Sequence, residues 1–421
     1  MRRIVLPFLL LAAFSATLAT AASRFGTELR VSVNDTPRQR YPVAALDGQG
    51  GALVVWANTR LGVIGRRISL ATPGAGSSEM QLLANTNLAS IPGEGEVVAH
   101  REPALLSEAG GNFRVFWTRE RAYLRSVPFH ETRTVLAQDI CTRLFNAQGQ
   151  PLGPVAVVGD EAPTFQSKPR VARTSTGTIV VVWQSEDQIA GSSAGDGVFA
   201  RVLNASGTPL GPVFRVNQPL PTLGAANPAL ATDRDGRVLI VWEAQDGSGS
   251  GVYGRLFNAQ GAALGDAQRI NATTAGRQEH AAAAHLDGDF LVLWHGATGE
   301  RLRTRIYGQR LTANGQRIGG EIEVSHGAEE YEYDPAIVAT PRGTYLAVWM
   351  LWDKSFPRAL RGLEMAADGS ALGDGEINVN TFRMDAQYRS FLAVDPHDGA
   401  LAVWEGFWNR HAGISAQRVG Q

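Results

Sequence analysis

Two groups of residues in this 421-residue chain carry side chains suited to chemistry. The first gathers Tyr331, Tyr333, Trp352, Asp353, Phe356, Arg358, Arg383, Glu405, Phe407, Trp408 and Arg410, with Glu329 and Glu330 beside them. Large aromatic faces next to charged hydrogen-bonding groups suit stacking of a sugar ring or anchoring of a protein partner. Carboxylate pairs such as Glu405 with Asp353, or Glu330 with Asp334, would serve glycoside hydrolysis if they stood about 5 to 10 Å apart across one cleft. The second group takes one residue from each of seven repeated segments: Tyr41, Glu102, Lys168, Asn227, Glu279, Asp334 and Tyr388. Three carboxylates and one ammonium at a common channel mouth offer oxygen ligands for a cation, or a carboxyl with a raised pKa for general-acid work. The plainer readings are aromatics that pack their own loops and solvated strand starts. On those grounds no metal, cofactor or catalytic residue is assigned.

The elements that would position these groups are read from a repeat. An apolar run ending in Trp occurs seven times, at Trp56, Trp117, Trp183, Trp242, Trp294, Trp349 and Trp404, at intervals of 52 to 66 residues. Upstream of each lies a second short apolar strand, introduced by Pro at positions 42, 103, 169, 228 and 335 but not after Glu279-His280 or Tyr388-Arg389. Pro fits a strand start, where its missing N–H costs least. Tight-turn pairs such as Asp235-Gly236 and Asp287-Gly288 join the two strands into hairpins. A third strand follows each Trp, and in six units a turn and a fourth strand follow that, with near-identical turn text at Asn146, Asn204 and Asn258. Four antiparallel strands repeated seven times predict a seven-bladed β-propeller of four-stranded antiparallel blades.

The seventh unit stops after its third strand, while Glu28–Asp35 carries fourth-strand text ahead of the first unit. The expected closure pairs this N-terminal strand with residues 413–419 in the last blade, which removes both open sheet edges. The unit "DG…VVW…GR-LF-NA-G…LG…VN" resembles secreted bacterial β-propeller repeats over residues 24–421. It lacks the Gly-His…Trp-Asp pair of WD40 blades and the Asp-box of sialidases. That resemblance implies the fold and leaves function open, because propellers host lectins, hydrolases, lyases and scaffolds alike.

Residues 1–21 have the charged, apolar and small-residue layout of a signal peptide, so a secreted or periplasmic protein is expected, with residues 22–421 as a single propeller domain. No apolar stretch is long enough to predict a membrane span. A formal charge of -1 gives no reason to expect nucleic acid as partner. The single Cys141 lies in an apolar strand pattern and is read as a buried, inert thiol. Asp233-Arg-Asp-Gly236 is read as a hairpin turn and not as a calcium loop. Long, dissimilar loops on one face, including 118–138 and 184–196, mark the functional side. The favoured expectation is a monomeric binding or adhesion module for a glycan or cell-surface protein. The alternatives are a propeller glycoside hydrolase or polysaccharide lyase, and then a structural scaffold.

Overall fold

The computed structural model describes residues 24–33, 38–47, 50–72, 76–87, 95–127, 130–159, 165–186, 197–217, 224–297, 303–326, 331–353, 356–373, 375–381, 387–394, 399–408 and 411–420. The chain is nearly all β, as expected, and within each unit the strands pair antiparallel in chain order, while short parallel pairings, Phe165↔Gln138 and Gly249↔Gly276, join units 2 to 3 and 4 to 5. Unit 1 is typical: Gln39–Leu46, Gly51–Asn58, Gly62–Ser69 and Met80–Ala84 form one four-stranded sheet. The second strand of each unit carries its repeated Trp and runs a few residues beyond it, further in unit 2. In the last unit Gln387–Val394, Ala400–Trp408 and His411–Val419 are joined by Arg24–Arg30, which pairs with the third strand from Arg24↔Val419 to Arg30↔Ser415. Beyond that register Val31 and Ser32 donate to the Ile414 carbonyl.

Every second strand is apolar on both faces because both faces are covered. Val54 and Trp56 pack on Leu401, Val403 and Ile414 of unit 7, while Leu53 and Val55 pack on Val115 and Trp117 of unit 2. The same arrangement recurs between units 2 and 3, 3 and 4, 4 and 5, 5 and 6, and 6 and 7. All seven repeated tryptophans are at most 1% exposed, and each sits in the layer shared with the preceding unit. Cys141 lies buried in one such layer, and burial pushes its thiol up to about 12, so it is inert.

The repeat text has local causes. Asn146, Asn204 and Asn258 each accept, through Oδ1, the N–H groups two and four residues on, which fixes the turn after the third strand. The third-strand arginines Arg143, Arg201 and Arg255 then donate Nε to the carbonyls of Gly153, Gly211 and Gly265, tying down the return of the chain. Asp233 likewise accepts from the Asp235 and Arg237 N–H groups, in keeping with a turn.

Three expectations are corrected. The prolines do not begin the first strands, which start earlier; each lies in a β-bulge. Tyr41 and Pro42 together oppose Trp56 between the pairs Arg40↔Ala57 and Val43↔Val55, and all seven units repeat this two-against-one register. A bulge leaves its extra residue outside the ladder, so the missing N–H of Pro costs nothing there. Residues 118–127 and 130–138 are not loop but the extension of a long ribbon, with Phe113–Val127 paired to His130–Phe145. Alternating Tyr, Leu, Val and Thr make that segment a good strand former. Finally, several fourth strands are only two residues long, such as Phe214–Arg215 and Ile377–Asn378, and a short outer strand limits edge-to-edge association.

Truncating Trp242 to Ala should cost about 3–5 kcal/mol by leaving a cavity between units 3 and 4. The expected readout is a melting temperature several degrees lower by calorimetry; an unchanged one would show that the repeated Trp does not hold the sheets together.

Candidate functional site

The bulges place seven residues in the left-handed backbone region: Tyr41, Glu102, Lys168, Asn227, His280, Asp334 and Arg389, with φ between 43° and 57°. Five of these are residues of the second sequence-derived group. In units 5 and 7 the structure moves the position on by one, from Glu279 to His280 and from Tyr388 to Arg389. Those units have Ala281 and Ser390 where the others have Pro, so nothing in the text marked the bulge. Glu279 and Tyr388 pair in the ladder with His295 and Glu405. The first strands that carry these residues lie side by side in chain order, and Gln387–Val394 in turn lies against Gln39–Leu46.

A left-handed residue turns its N–H out of the ladder, and that donor needs a partner. In four units the acceptor is the residue that follows the Trp of the preceding unit. Glu405 accepts from Tyr41 at 2.8 Å, Gln184 from Asn227 at 3.0 Å, Glu243 from His280, and His295 Nδ1 from Asp334 at 3.3 Å. In unit 3, Glu102 accepts from the Lys168 N–H at 2.8 Å and also from Thr118. Side chains continue the chain of contacts. Lys168 Nζ donates to Asn227 Oδ1, Asn227 Nδ2 donates to Glu243 at 2.9 Å, and His280 Nδ1 meets Asp334 Oδ1. Arg389 bonds Glu405 at 3.3 Å, and its guanidinium lies 4.4 Å over the Tyr41 ring.

Burial and these partners set the charges. Burial lowers the Lys168 pKa against the pull of Glu102 and Glu243. Burial also raises the pKa of Glu243 and holds His295 down to about 4, where a neutral imidazole is the stable form at neutral pH. His280 goes the other way: burial opposes its charge, but the hydrogen bond and charge of Asp334, aided by Glu243, raise its pKa. Asp334 is correspondingly lowered, burial being outweighed by His280.

Of the aromatic group, Tyr331 and Trp352 are cross-strand partners with rings 5.4 Å apart, and Trp352 is 42% exposed. Tyr333, two residues on, sets its ring edge-on to His295 at 5.2 Å, which links this aromatic pair to the bulge residues. Glu405 is buried and holds the Tyr41 N–H, so it is a structural acceptor in this arrangement. Arg383 lies outside the described residues, as do the side chains of Asp353, Arg358, Phe407 and Trp408.

Sequence reasoning missed a cavity of about 950 Å³ between units 1 and 2. Arg38, Arg40, Arg60, Arg101, Arg133 and His100 line it, and it reaches Tyr41; among the described residues its lining includes no Asp or Glu. Arg101 and Arg133 pair with Glu120, which is buried behind them. These arginines come from four separate strands and turns, so no local run of basic text announced them.

No protein-family model and no curated protein sequence matches the chain. Among solved structures, an ulvan lyase of a polysaccharide lyase family, bound to -[GlcA(1-4)Rha3S]-, is 11% identical with a TM-score of 0.60, covering 95% of this chain and 96% of that one. A protein of unknown function from Dyadobacter fermentans is 12% identical with a TM-score of 0.54, covering 78% of this chain and all of its own. These likenesses define the class: an all-β, propeller-like fold. Among the described residues, no helix is long and apolar enough to cross a membrane.

One buried carboxyl in this region gives a direct pH test. Glu332 is fully buried, accepts from the Trp349 indole at 3.1 Å and contacts Ser325; burial raises its pKa to about 7. The unfolded value is 4.5, so the folded state holds the extra proton; the stability it contributes is present below 4.5 and is lost as pH rises through about 7. Gln278 occupies the equivalent place in unit 5 and accepts from Trp294 without a charge. Glu332→Gln should therefore raise the melting temperature at ~pH 8 and converge with the parent chain in acid. A difference independent of pH would contradict the assignment.

Proposed function

We propose that this chain is an exported, closed seven-bladed propeller that cleaves an acidic polysaccharide by β-elimination at the centre of its bulge-bearing face. Pairing of Arg24–Arg30 with His411–Val419, and the packing of unit 7 on unit 1, support the closure. The layout of residues 1–21 supports export. The observation that carries the functional reading is the arginine-lined cavity that opens on Tyr41. Guanidinium groups match carboxylates in geometry, and a cleft of one sign concentrates a polyanion.

In such an elimination a base removes the proton next to the uronate carboxylate, the bond from the neighbouring carbon to the glycosidic oxygen breaks, a double bond forms between the two carbons, and the leaving oxygen takes up a proton. Cations beside the carboxylate stabilise the charge that develops. Lys168 is the proposed base, because its lowered pKa leaves more neutral amine at a given pH than a free lysine has. Tyr331 and Trp352 are the proposed platform for a neighbouring sugar ring.

Hydrolysis is the weaker alternative. It needs two carboxyl groups at liberty to act, whereas Glu102, Glu243 and Glu405 accept from backbone N–H groups and Asp334 bonds His280. The binding-module reading from sequence becomes the outcome in which polymer is held but not cut. The fold shared with an ulvan lyase is compatible with the lyase reading.

Incubation with uronate-containing polysaccharides, ulvan among them, should release products with the ultraviolet absorbance of an unsaturated uronate, and the rate should climb with pH as Lys168 loses its proton. Lys168→Gln should lower kcat by at least ~100-fold. Arg60→Ala and Trp352→Ala should mainly raise KM. Retention of these polymers without any unsaturated product would replace the lyase by the binding module.

A further inference from the structure

We propose that His280, His295 and Asp334 bind a divalent transition-metal ion of the zinc class at the junction of units 5 and 6. One ligand atom from each of the three lies within 4.8 Å of the others. Tetrahedral zinc, with bonds of about 2.0 to 2.2 Å, needs donors roughly 3.3 Å apart, which small side-chain rotations would reach. Two ring nitrogens and one carboxylate oxygen suit zinc and its neighbours, whereas calcium and magnesium prefer oxygen alone.

The donors come from three places that the fold holds firmly. His280 and Asp334 are the left-handed bulge residues of adjacent units, and His295 follows the buried Trp294. His280 Nδ1 already faces Asp334 Oδ1. His295 Nδ1 accepts from the Asp334 N–H, with the ring proton on Nε2, 3.9 Å from Glu279 Oε2, and an ion bound at Nδ1 takes that lone pair in exchange for the Asp334 N–H bond. Ser250 Oγ holds Glu279 at 2.9 Å. A carboxylate on the far nitrogen is the usual means of orienting a histidine toward a metal. The side chains of His280 and Asp334 are 46% and 24% exposed, so an ion can enter and a fourth position is left for water or a substrate oxygen.

Repetition makes the site specific. The same two structural positions hold Glu405 with Tyr41, Gln184 with Asn227, and Glu243 with His280 at other junctions. Only between units 5 and 6 do they bring two imidazoles and a carboxylate together among the described residues. Glu279, read from sequence as a channel-mouth residue, here becomes a positioning residue behind His295.

The test uses the whole chain, stripped with chelator and titrated with zinc chloride in the absence of polysaccharide. Calorimetry and elemental analysis should give one zinc per chain, and cobalt should bind with the visible absorption of a low-symmetry site. His280→Ala and His295→Ala should abolish binding, and Glu279→Gln should weaken it about 10- to 100-fold with the stoichiometry kept. His280 is partly exposed, so His280→Ala gives a folded variant even if the His295 change destabilises the sheet. No binding to the parent chain, or unchanged binding in His280→Ala, would overturn the proposal. Because binding is scored without substrate, a chain that binds zinc but forms no unsaturated product removes the lyase reading alone. One that cleaves polymer but binds no zinc removes the metal site alone.

Discussion

The molecule depends on a mismatch of one residue. In every unit two residues of the first strand face one Trp of the second, and the ladder closes again only because the first of the two turns left-handed. Each such turn costs about 1–2 kcal/mol for a residue with a Cβ. The opposing Trp, fully buried against the preceding unit, offsets it with a few kcal/mol of apolar burial. The bulge also tilts one side chain per unit away from the sheet and frees one N–H. At Tyr41, Lys168, Asn227, His280 and Asp334 that N–H is answered by a side chain of the unit before, so backbone strain, blade contact and the chemistry of the site share a single origin.

This origin explains which parts of the site can vary. Where the acceptor is Glu243 or Glu405, a carboxyl lies beneath the bulge residue; where it is Gln184 or His295, an amide or an imidazole serves. The backbone demands an acceptor and is indifferent to its charge. The bulge side chain itself is constrained even less, and seven units hold Tyr, Glu, Lys, Asn, His, Asp and Arg there. A scaffold that repeats its backbone while leaving one inward position free at each step can assemble a mixed set of donors, acceptors and charges without disturbing its core.

How much of this was legible follows from what each residue is asked to do. The tryptophans and apolar runs report burial on both faces, a property of composition, and they located the sheets, while the fourth-strand text at Glu28–Asp35 pointed to the pairing of the chain ends, which the structure makes through Arg24–Arg30. Pro42, Pro103, Pro169, Pro228 and Pro335 were visible too, but a missing N–H is equally welcome at a strand start and at a bulge, so text alone could not separate the two. The same ambiguity hid His280 and Arg389, whose neighbours Glu279 and Tyr388 look just as polar. Trp352, Tyr331 and Tyr333 do come together near His295, whereas Arg383 and the side chains of Asp353, Arg358, Phe407 and Trp408 fall outside what the structure describes. The arginine cavity was beyond reach for another reason: Arg38, Arg60, Arg101 and Arg133 are neighbours only once units 1 and 2 are docked.

The long ribbon of unit 2 bears on how that cavity keeps its charge. Arg133 stands in the extension of the third strand, and Glu120 in that of the second, so the segment read as a loop supplies both a wall of the cavity and the buried carboxylate behind it. A rigid ribbon can keep one acid under two arginines, Arg101 and Arg133, in a way a mobile loop would not. The pairing is unequal, one carboxylate to two guanidiniums, and leaves net positive charge facing the opening. Similarly, Lys168 has two carboxylates within electrostatic reach, yet burial still lowers its pKa. In the cavity the acid orients the two guanidiniums without cancelling them, whereas at Lys168 burial disfavours the charged form despite the nearby acids, so the positive field of this face comes from its arginines.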